Sequence, residues 1–370
     1  MDFAPSDPGS IGMELELQLL DTDTLNLVDG ILPLIDFFPD SPYVKPEFIQ
    51  STVELTTRVC SDIGQLREHM FKLARDVSSR CDQLGMRLCG AGTHPFCERL
   101  ALITPIPRYQ RMEKASGYLG HTQITFATHV HIGMQSGEQM IDTMNQLKAY
   151  LPLLIAISAN SPFWRGYETG YASYRHRILA ASRSYGIPPS FDSWRDFENF
   201  IETTRHAGVF DTVPDIHWDI RPRPHLGSLE VRVMDAQSSI GDAVSIAAFV
   251  RALVTFIRDH RQEALDESLP QPLPWWLEKE NHFQASRKGI KARYVANAQG
   301  DILKMKDVWQ RVISAIRPVT RSLDEEEYLD YLIDRIYKDP PYTRQQREFE
   351  RSGSLQSVVN DCVSQLEREL

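Results

Sequence analysis

The stretch Ile11-Gly12-Met13-Glu14-Leu15-Glu16-Leu17-Gln18-Leu19 decides the fold. Its odd positions are all apolar, and its even positions hold Gly12, Glu14, Glu16 and Gln18. Successive side chains of a strand point to opposite faces, so a period of two marks a strand with one buried and one polar face. Val53 and Leu55 alternate with Thr52, Glu54 and Thr56 to the same effect. Thr125 to Met134 sets His129 and His131 opposite Val130 and Ile132. Ile216 to Arg223 sets His217, Asp219, Arg221 and Arg223 opposite Ile216, Trp218 and Ile220. Ser228 to Asp235 sets Glu230 and Arg232 opposite Leu229, Val231 and Val233.

A parallel sheet covered on both faces would give continuous apolar runs rather than alternation. The pattern therefore predicts an α+β protein: a mainly antiparallel sheet, helices on its apolar outer face, and a polar face lining a cavity. The period changes to three and four between Ser61 and Leu84, where Ile63, Leu66, Met70, Leu73 and Val77 form one stripe. That predicts an amphipathic helix with Ser61 as N-cap and Gly85 as stop. Further helices are expected over Glu138–Ala159 and Asp192–His206, a long loop over Arg165–Pro189, and mostly helix from Asp242 to the end, interrupted by a proline-rich bend at Pro270 to Pro274. No repeat or low-complexity linker divides the chain, so residues 1–370 read as one catalytic domain whose part 275–370 is mostly helical.

Hydrophobic residues make up 42% and charged residues 24% of the 370, a balance that supports a sizeable core. The formal net charge of -10 argues against nucleic-acid binding through bulk charge. Five cysteines, none in a C-x-x-C pair, read as buried small hydrophobes in a reducing compartment. The N-terminus lacks the basic and apolar regions of a secretory signal. The longest candidate for a membrane span, Leu147 to Ala159, is shorter than the ~18 residues that cross a bilayer. These features lead to the expectation of a cytoplasmic protein with no membrane partner.

The polar faces carry the chemistry. Glu14, Glu16, Glu54 and Glu230, with His129 and His131, would converge in one concavity if the faces are continuous. Close carboxylates repel unless cations neutralise them. Magnesium is held by a few carboxylates together with substrate phosphates, and arginines at 221, 223 and 232 suit phosphate. Each motif alone has a plainer reading: E-x-E or H-x-H on a strand is most often a solvated polar face. Glu47 lies seven residues before Glu54. One regular strand cannot point both inward, so Glu47 needs a bulge or a loop start.

Together these segments resemble the carboxylate–amine ligases of the glutamate–cysteine ligase type 2 family, with its glutamine-synthetase-like catalytic fold. The resemblance rests on Gly12–Glu16, Glu54–Thr57, Gly90–Phe96, His129–Gly133, Asn281–Arg287 and Gly353–Leu355. Most specific are His217-Trp218-Asp219-Ile220-Arg221-Pro222 and Glu230-Val231-Arg232-Val233-Met234-Asp235. It implies a curved sheet forming a funnel-shaped active site, ATP, and Mg2+ or Mn2+. It implies that a substrate carboxylate, such as that of glutamate, is activated as an acyl-phosphate and joined to cysteine or another amine. By matching position, Glu14, Glu16, Glu54 and Glu230 would be metal ligands, with Glu47 and His131 as further candidates. Arg232, Arg221 and His129 would meet phosphates, and Arg232, Glu230 and Arg221 would be catalytic. Arg175, Arg287, Thr93 and His94 would hold substrate. Gln50 stands where the family pattern has an acid, and Glu47 where it has Asp. Two other classes fit less of the sequence: a non-catalytic nucleotide- or metabolite-binding relative, and a zinc hydrolase built on His129 and His131, which lacks H-E-x-x-H. Small-molecule substrates are the expected partners, and the helical C-terminal part offers a surface for a homodimer.

Overall fold

In the computed structural model, which describes all of Met1–Leu370, the alternating segments become one seven-stranded sheet. Its strands are β1 (Ile11–Asp21), β2 (Val44–Pro46), β3 (Thr52–Thr56), β4 (Met86–Cys89), β5 (Ala127–Gly133), β6 (Ile220–Arg223) and β7 (Ser228–Asp235). The order is β2-β3-β1-β5-β7-β6, with β4 paired to the last residues of β1, and every ladder is antiparallel. Antiparallel pairing suits strands with one apolar and one polar face, which is what the period of two encodes.

The apolar face is sealed by helices. Met13, Leu15, Leu17 and Leu19 are almost completely buried and belong to a core cluster of 91 residues that runs from Ile11 to Leu366. The helix Ile63–Gln83 buries Ile63, Leu66, Met70, Leu73 and Val77. Its N-cap is Asp62 rather than Ser61: the Asp62 carboxylate accepts from Gln65 N at 2.8 Å, and Ser61 Oγ instead donates to Asp62. The central element is the helix Ile240–Asp259, packed on the sheet, on Ile63–Gln83 and on the C-terminal helices. It is 20 residues long and apolar enough to cross a bilayer, a better candidate than Leu147–Ala159, but 89% of its apolar window is buried in the protein. Arg251 explains that placement. Its guanidinium pairs with Glu325 and donates to Gly9 O (2.7 Å) and Ser61 O (2.6 Å), tying the N-terminal segment to the core.

Four details differ from the sequence expectation. The helix expected over 138–159 breaks into Gly137–Leu147, a tight turn and Leu151–Ser158, with Pro152 in the first turn of the second piece, where its missing N–H costs nothing. The strand expected from Ile216 begins only at Ile220, because the residues before it pair with Gly186 rather than with the sheet: Trp218 bridges Gly186, and Asp219 N donates to Gly186 O at 2.8 Å. The Arg165–Pro189 loop contains the helix Arg175–Leu179, and the helical C-terminal part is interrupted by the hairpin Arg293–Val295/Ile302–Lys304. All five cysteines are free and buried.

Leu17 lies at the centre of the apolar face, wholly buried. Leu17→Ala is expected to cost about 2–5 kcal/mol in urea unfolding, as buried leucines do. A loss below about 1 kcal/mol, the size typical of a surface change, would contradict this packing.

Candidate active site

Strand register builds the polar face residue by residue. Lys45 stands opposite Glu54, Glu54 opposite Glu16, Glu14 opposite His129, His131 opposite Glu230, and Glu230 opposite Arg221. This face is recessed rather than solvated: Glu230 is 0%, His129 2% and Glu54 6% exposed. Two groups of metal-competent atoms result, one of Glu14, His131 and Glu230 and the other of Glu16, Glu47 and Glu54. In each, the donor atoms lie within 4.8 Å of one another.

The first group is charge-compensated. Arg221 grips Glu230 with Nε and Nη2 at 2.9 and 3.0 Å, Arg223 Nη1 adds a contact at 2.9 Å, and Arg232 Nη1 pairs with Oε1. Burial raises the Glu230 pKa, but Arg221, Arg232, His131 and Arg223 outweigh it and hold the carboxyl well below its usual range. Burial likewise works against Glu14, and hydrogen bonds from His129 and His131 reverse the effect, so Glu14 also titrates well below its usual range. His129 Nδ1 lies 3.0 Å and His131 Nε2 3.3 Å from Glu14. Ser228 Oγ, 3.1 Å from His131 Nδ1, fixes that ring and leaves Nε2 buried and aimed between Glu14 and Glu230.

The second group is under-compensated. Its one contact with a permanent cation is Lys45 Nζ–Glu54 Oε1 at 3.4 Å, while His129 Nε2, 3.9 Å from Glu16, belongs to a ring that burial keeps neutral. Burial pushes Glu16 up to about 7, with Arg175 opposing and Glu54 adding. Glu54 is raised well above its usual range by burial and then by Glu14 and Glu47, and Glu47 is raised by burial and Glu16. Glu47 reaches this group because it lies just past the end of β2, in the connection to β3, where strand parity no longer applies. Tyr109, on the helix Pro107–Ser116, covers the group and donates to Pro46 O.

Such oxygen-dominated donor sets fit a hard divalent cation. They fit zinc hydrolysis poorly, since each group holds two or three carboxylates and only one, through His131, includes a histidine. Arg232 lies between the two groups. Burial opposes its charge, yet Glu230, Glu14 and Glu16 together keep it firmly protonated at the junction of the two groups.

Several expected contacts take other roles. Arg221 spends four of its five donors inside the protein, two on Glu230 and two, from Nη1, on Pro214 O and Ile216 O at 2.9 Å, so its main contact here is with Glu230. Thr93 and His94 are buried: Thr93 Oγ1 donates to Phe163 O, and His94 bridges Leu25 O and the Cys97 N–H. Their motif is a packing joint. A Cβ on Gly90 would lie 1.8 Å from Gln237 O, and one on Gly92 2.6 Å from Asp235 Cγ, so this Gly-x-Gly turn lets one backbone touch another at Gly90 and seats the Asp235 side chain at Gly92. Gln50 anchors the neighbouring segment through Ile103 O at 2.9 Å. Arg175 is buried beside β7, its guanidinium on Val233 O and Arg232 O. Arg287 is exposed, 6.0 Å from the Phe283 ring, and does not join the carboxylates. Arg223, expected to suit phosphate, is drawn to Glu230 instead. Lys45, Ser228 and Tyr109 escaped the sequence reading. Ser228 stands two residues before Glu230 on the same face, which was a signal, whereas Lys45 and Tyr109 needed the register and the loop path.

A sequence model described as "Glutamate-cysteine ligase family 2(GCS2)" matches residues 10–361. A protein of Trichormus variabilis described as "Putative glutamate--cysteine ligase 2" is 45% identical over 370 residues, covering 100% of this chain and 96% of its own length. A protein of the same description from Bdellovibrio bacteriovorus is 30% identical, covering 100% of this chain and 97% of its own. Among solved structures, a glutamate–cysteine ligase of Francisella tularensis in complex with AMP superposes with a TM-score of 0.69 at 13% identity, over 99% of this chain and 90% of that one. A bifunctional glutathione synthetase of Pasteurella multocida gives 0.71 at 14%, over 97% of this chain and 52% of that one. These two likenesses show a shared fold.

A carboxyl raised to about 7 destabilises the folded state once it must ionise, so the burden from Glu16 is absent below its ordinary value of 4.5 and complete above about 7. In metal-free protein, Glu16→Gln should therefore gain Tm relative to wild type as pH rises through that window, and added Mg2+ should close the gap. A difference independent of pH would contradict the under-compensated group. The Gln can still accept from Ala127 N, so the loss of charge is isolated.

Proposed function

The chain belongs to the glutamate–cysteine ligase family 2, and from that membership together with the recessed acid face we propose that it is an ATP-dependent carboxylate–amine ligase. The observation that carries the reading is the pair of acid groups flanking Arg232, a site for hard cations and phosphates with no other evident use. Glu14, His131 and Glu230 would hold one divalent cation, Mg2+ or Mn2+, and Glu16, Glu47 and Glu54 a second. Bound there, such cations neutralise phosphate charge and align the nucleotide.

The reaction has two steps. An oxygen of the substrate carboxylate, that of glutamate in this reading, attacks the γ-phosphorus of ATP, ADP leaves, and an acyl-phosphate forms. The amine nitrogen then attacks the acyl carbon, loses a proton, and expels inorganic phosphate to leave an amide; cysteine is one acceptor, and another amino compound fits the same chemistry. Arg232 faces the transferred phosphoryl group, where a fixed guanidinium stabilises charge that spreads over the equatorial oxygens. Arg221 and Arg223 keep Glu230 ionised and oriented. The histidines hold Glu14, and His129, whose pKa burial and Arg232 lower to about 4, stays neutral at physiological pH and adds no charge of its own. Burial of the face excludes water, which would otherwise hydrolyse the acyl-phosphate.

ADP release with ATP, Mg2+ and glutamate, measured with and without a panel of amines that includes cysteine, tests the reading. Amine-dependent release with a matching condensed product is expected. Arg232→Ala should lower it about 10²–10³-fold, the cost of deleting one preorganised charge donor, when assayed below the melting temperature of the variant. ATP binding without ADP release for every pair would leave a binding module instead.

A further inference from the structure

Two aspartates are buried side by side beneath the Arg165–Pro189 segment, and they differ in one respect. Asp235 is saturated, accepting from Asn160 N (2.9 Å), Ser161 Oγ (2.7 Å) and Ser173 Oγ (2.8 Å). Asp219 is bare: it is 1% exposed and neither carboxylate oxygen has a hydrogen-bond partner. Its backbone is pinned on both sides, N to Gly186 O and O from Arg232 N at 2.8 Å each, so the side chain is held in place without being satisfied. His282 Nδ1 stands 3.5 Å from Oδ2, and His282 Nε2 also lacks a partner. The nearby Tyr185 hydroxyl is engaged by His176 Nδ1 at 2.7 Å.

The surrounding groups are cationic but do not close on the carboxylate. Burial pushes Asp219 up to about 7, even though Arg175, the nearby Tyr185 hydroxyl, Arg232 and Arg177 oppose the shift. Arg175 and Arg177 each keep a buried Nε without a partner, and Arg177 lies 5.7 Å from the Phe283 ring. A buried carboxylate without hydrogen bonds is costly, and a fixed one beside unfilled guanidinium donors describes a ligand with both signs of charge. Arg175 Nη2 bonds Arg232 O, so this place adjoins the arginine at the junction of the acid groups.

We propose that Asp219, with Arg175, Arg177 and His282 around it, is the subsite for the zwitterionic head of an α-amino acid, its ammonium on Asp219 and its carboxylate on the arginines. The assignment rests on the ligase reading for which molecule brings the head: the carboxylate donor or the amine acceptor.

Calorimetric titration of the full chain with Mg2+ and a non-hydrolysable ATP analogue tests it, comparing wild type with Asp219→Asn. One arm sets glutamate against glutarate, which lacks the ammonium. The other sets cysteine against 3-mercaptopropionate. Wild type should prefer the ammonium-bearing ligand about ten- to a hundredfold in one arm, and that arm identifies the molecule. Asp219→Asn should erase the preference while melting no lower than wild type, since it removes an unsatisfied buried charge. A preference that survives in Asp219→Asn, or is absent from wild type in both arms, overturns the subsite. ADP release from the same preparations separates the two readings. Ammonium discrimination lost in the variant without any ADP release keeps the subsite and removes the ligase. ADP release with discrimination untouched does the reverse.

Discussion

Mutual repulsion among carboxylates buried on one sheet face is the constraint to which the rest of this structure answers. Register forces Glu16 against Glu54 and lines Glu14 and Glu230 up with the histidines of β5. The fold answers differently on the two sides. Around Glu230 it supplies three arginines, and around Glu14 two histidines. Around Glu16, Glu47 and Glu54 it supplies one lysine. The deficit is local and anionic, and under the proposed function cations and the nucleotide they carry make it good. The large apolar core, with Ile240–Asp259 at its centre, supplies the stability against which such a face can be maintained.

Much of this is legible in the alternation. A period of two determines which side chains share a face, so the amino-acid sequence alone groups Glu14, Glu16, Glu54, Glu230 and the two histidines. What alternation cannot give is the role of a residue whose donors are taken up by neighbours distant in sequence. Arg221 has a phosphate-binding residue type in a plausible motif, yet its donors end on Glu230 and on carbonyls of the turn before it. Thr93 and His94 sit in a distinctive motif, but its glycines serve close packing against Gln237 and Asp235. Parity could only pose the Glu47 problem, and the loop start after β2 resolves it. Asp219 lies in the most specific motif of the chain. Its lack of partners is a property of three-dimensional packing, invisible to spacing.

The fold has outlasted the sequence that builds it. At 13% identity to the Francisella tularensis ligase, the chain still superposes over 99% of its length. A strand needs only an apolar face of about the right volume, and many sequences satisfy that. The acid face is less permissive, because each added buried charge must be met by a partner or a ligand.

The most direct measurement of the central claim counts cations. Mn2+ titration followed by electron paramagnetic resonance, with ATP present, reports free and bound ion directly. The account predicts two ions per chain, one for each acid group, and one fewer when Glu16 and Glu54 are both changed to Gln. Unchanged Mn2+ binding in that double variant, or no saturable binding in the wild type, would contradict it.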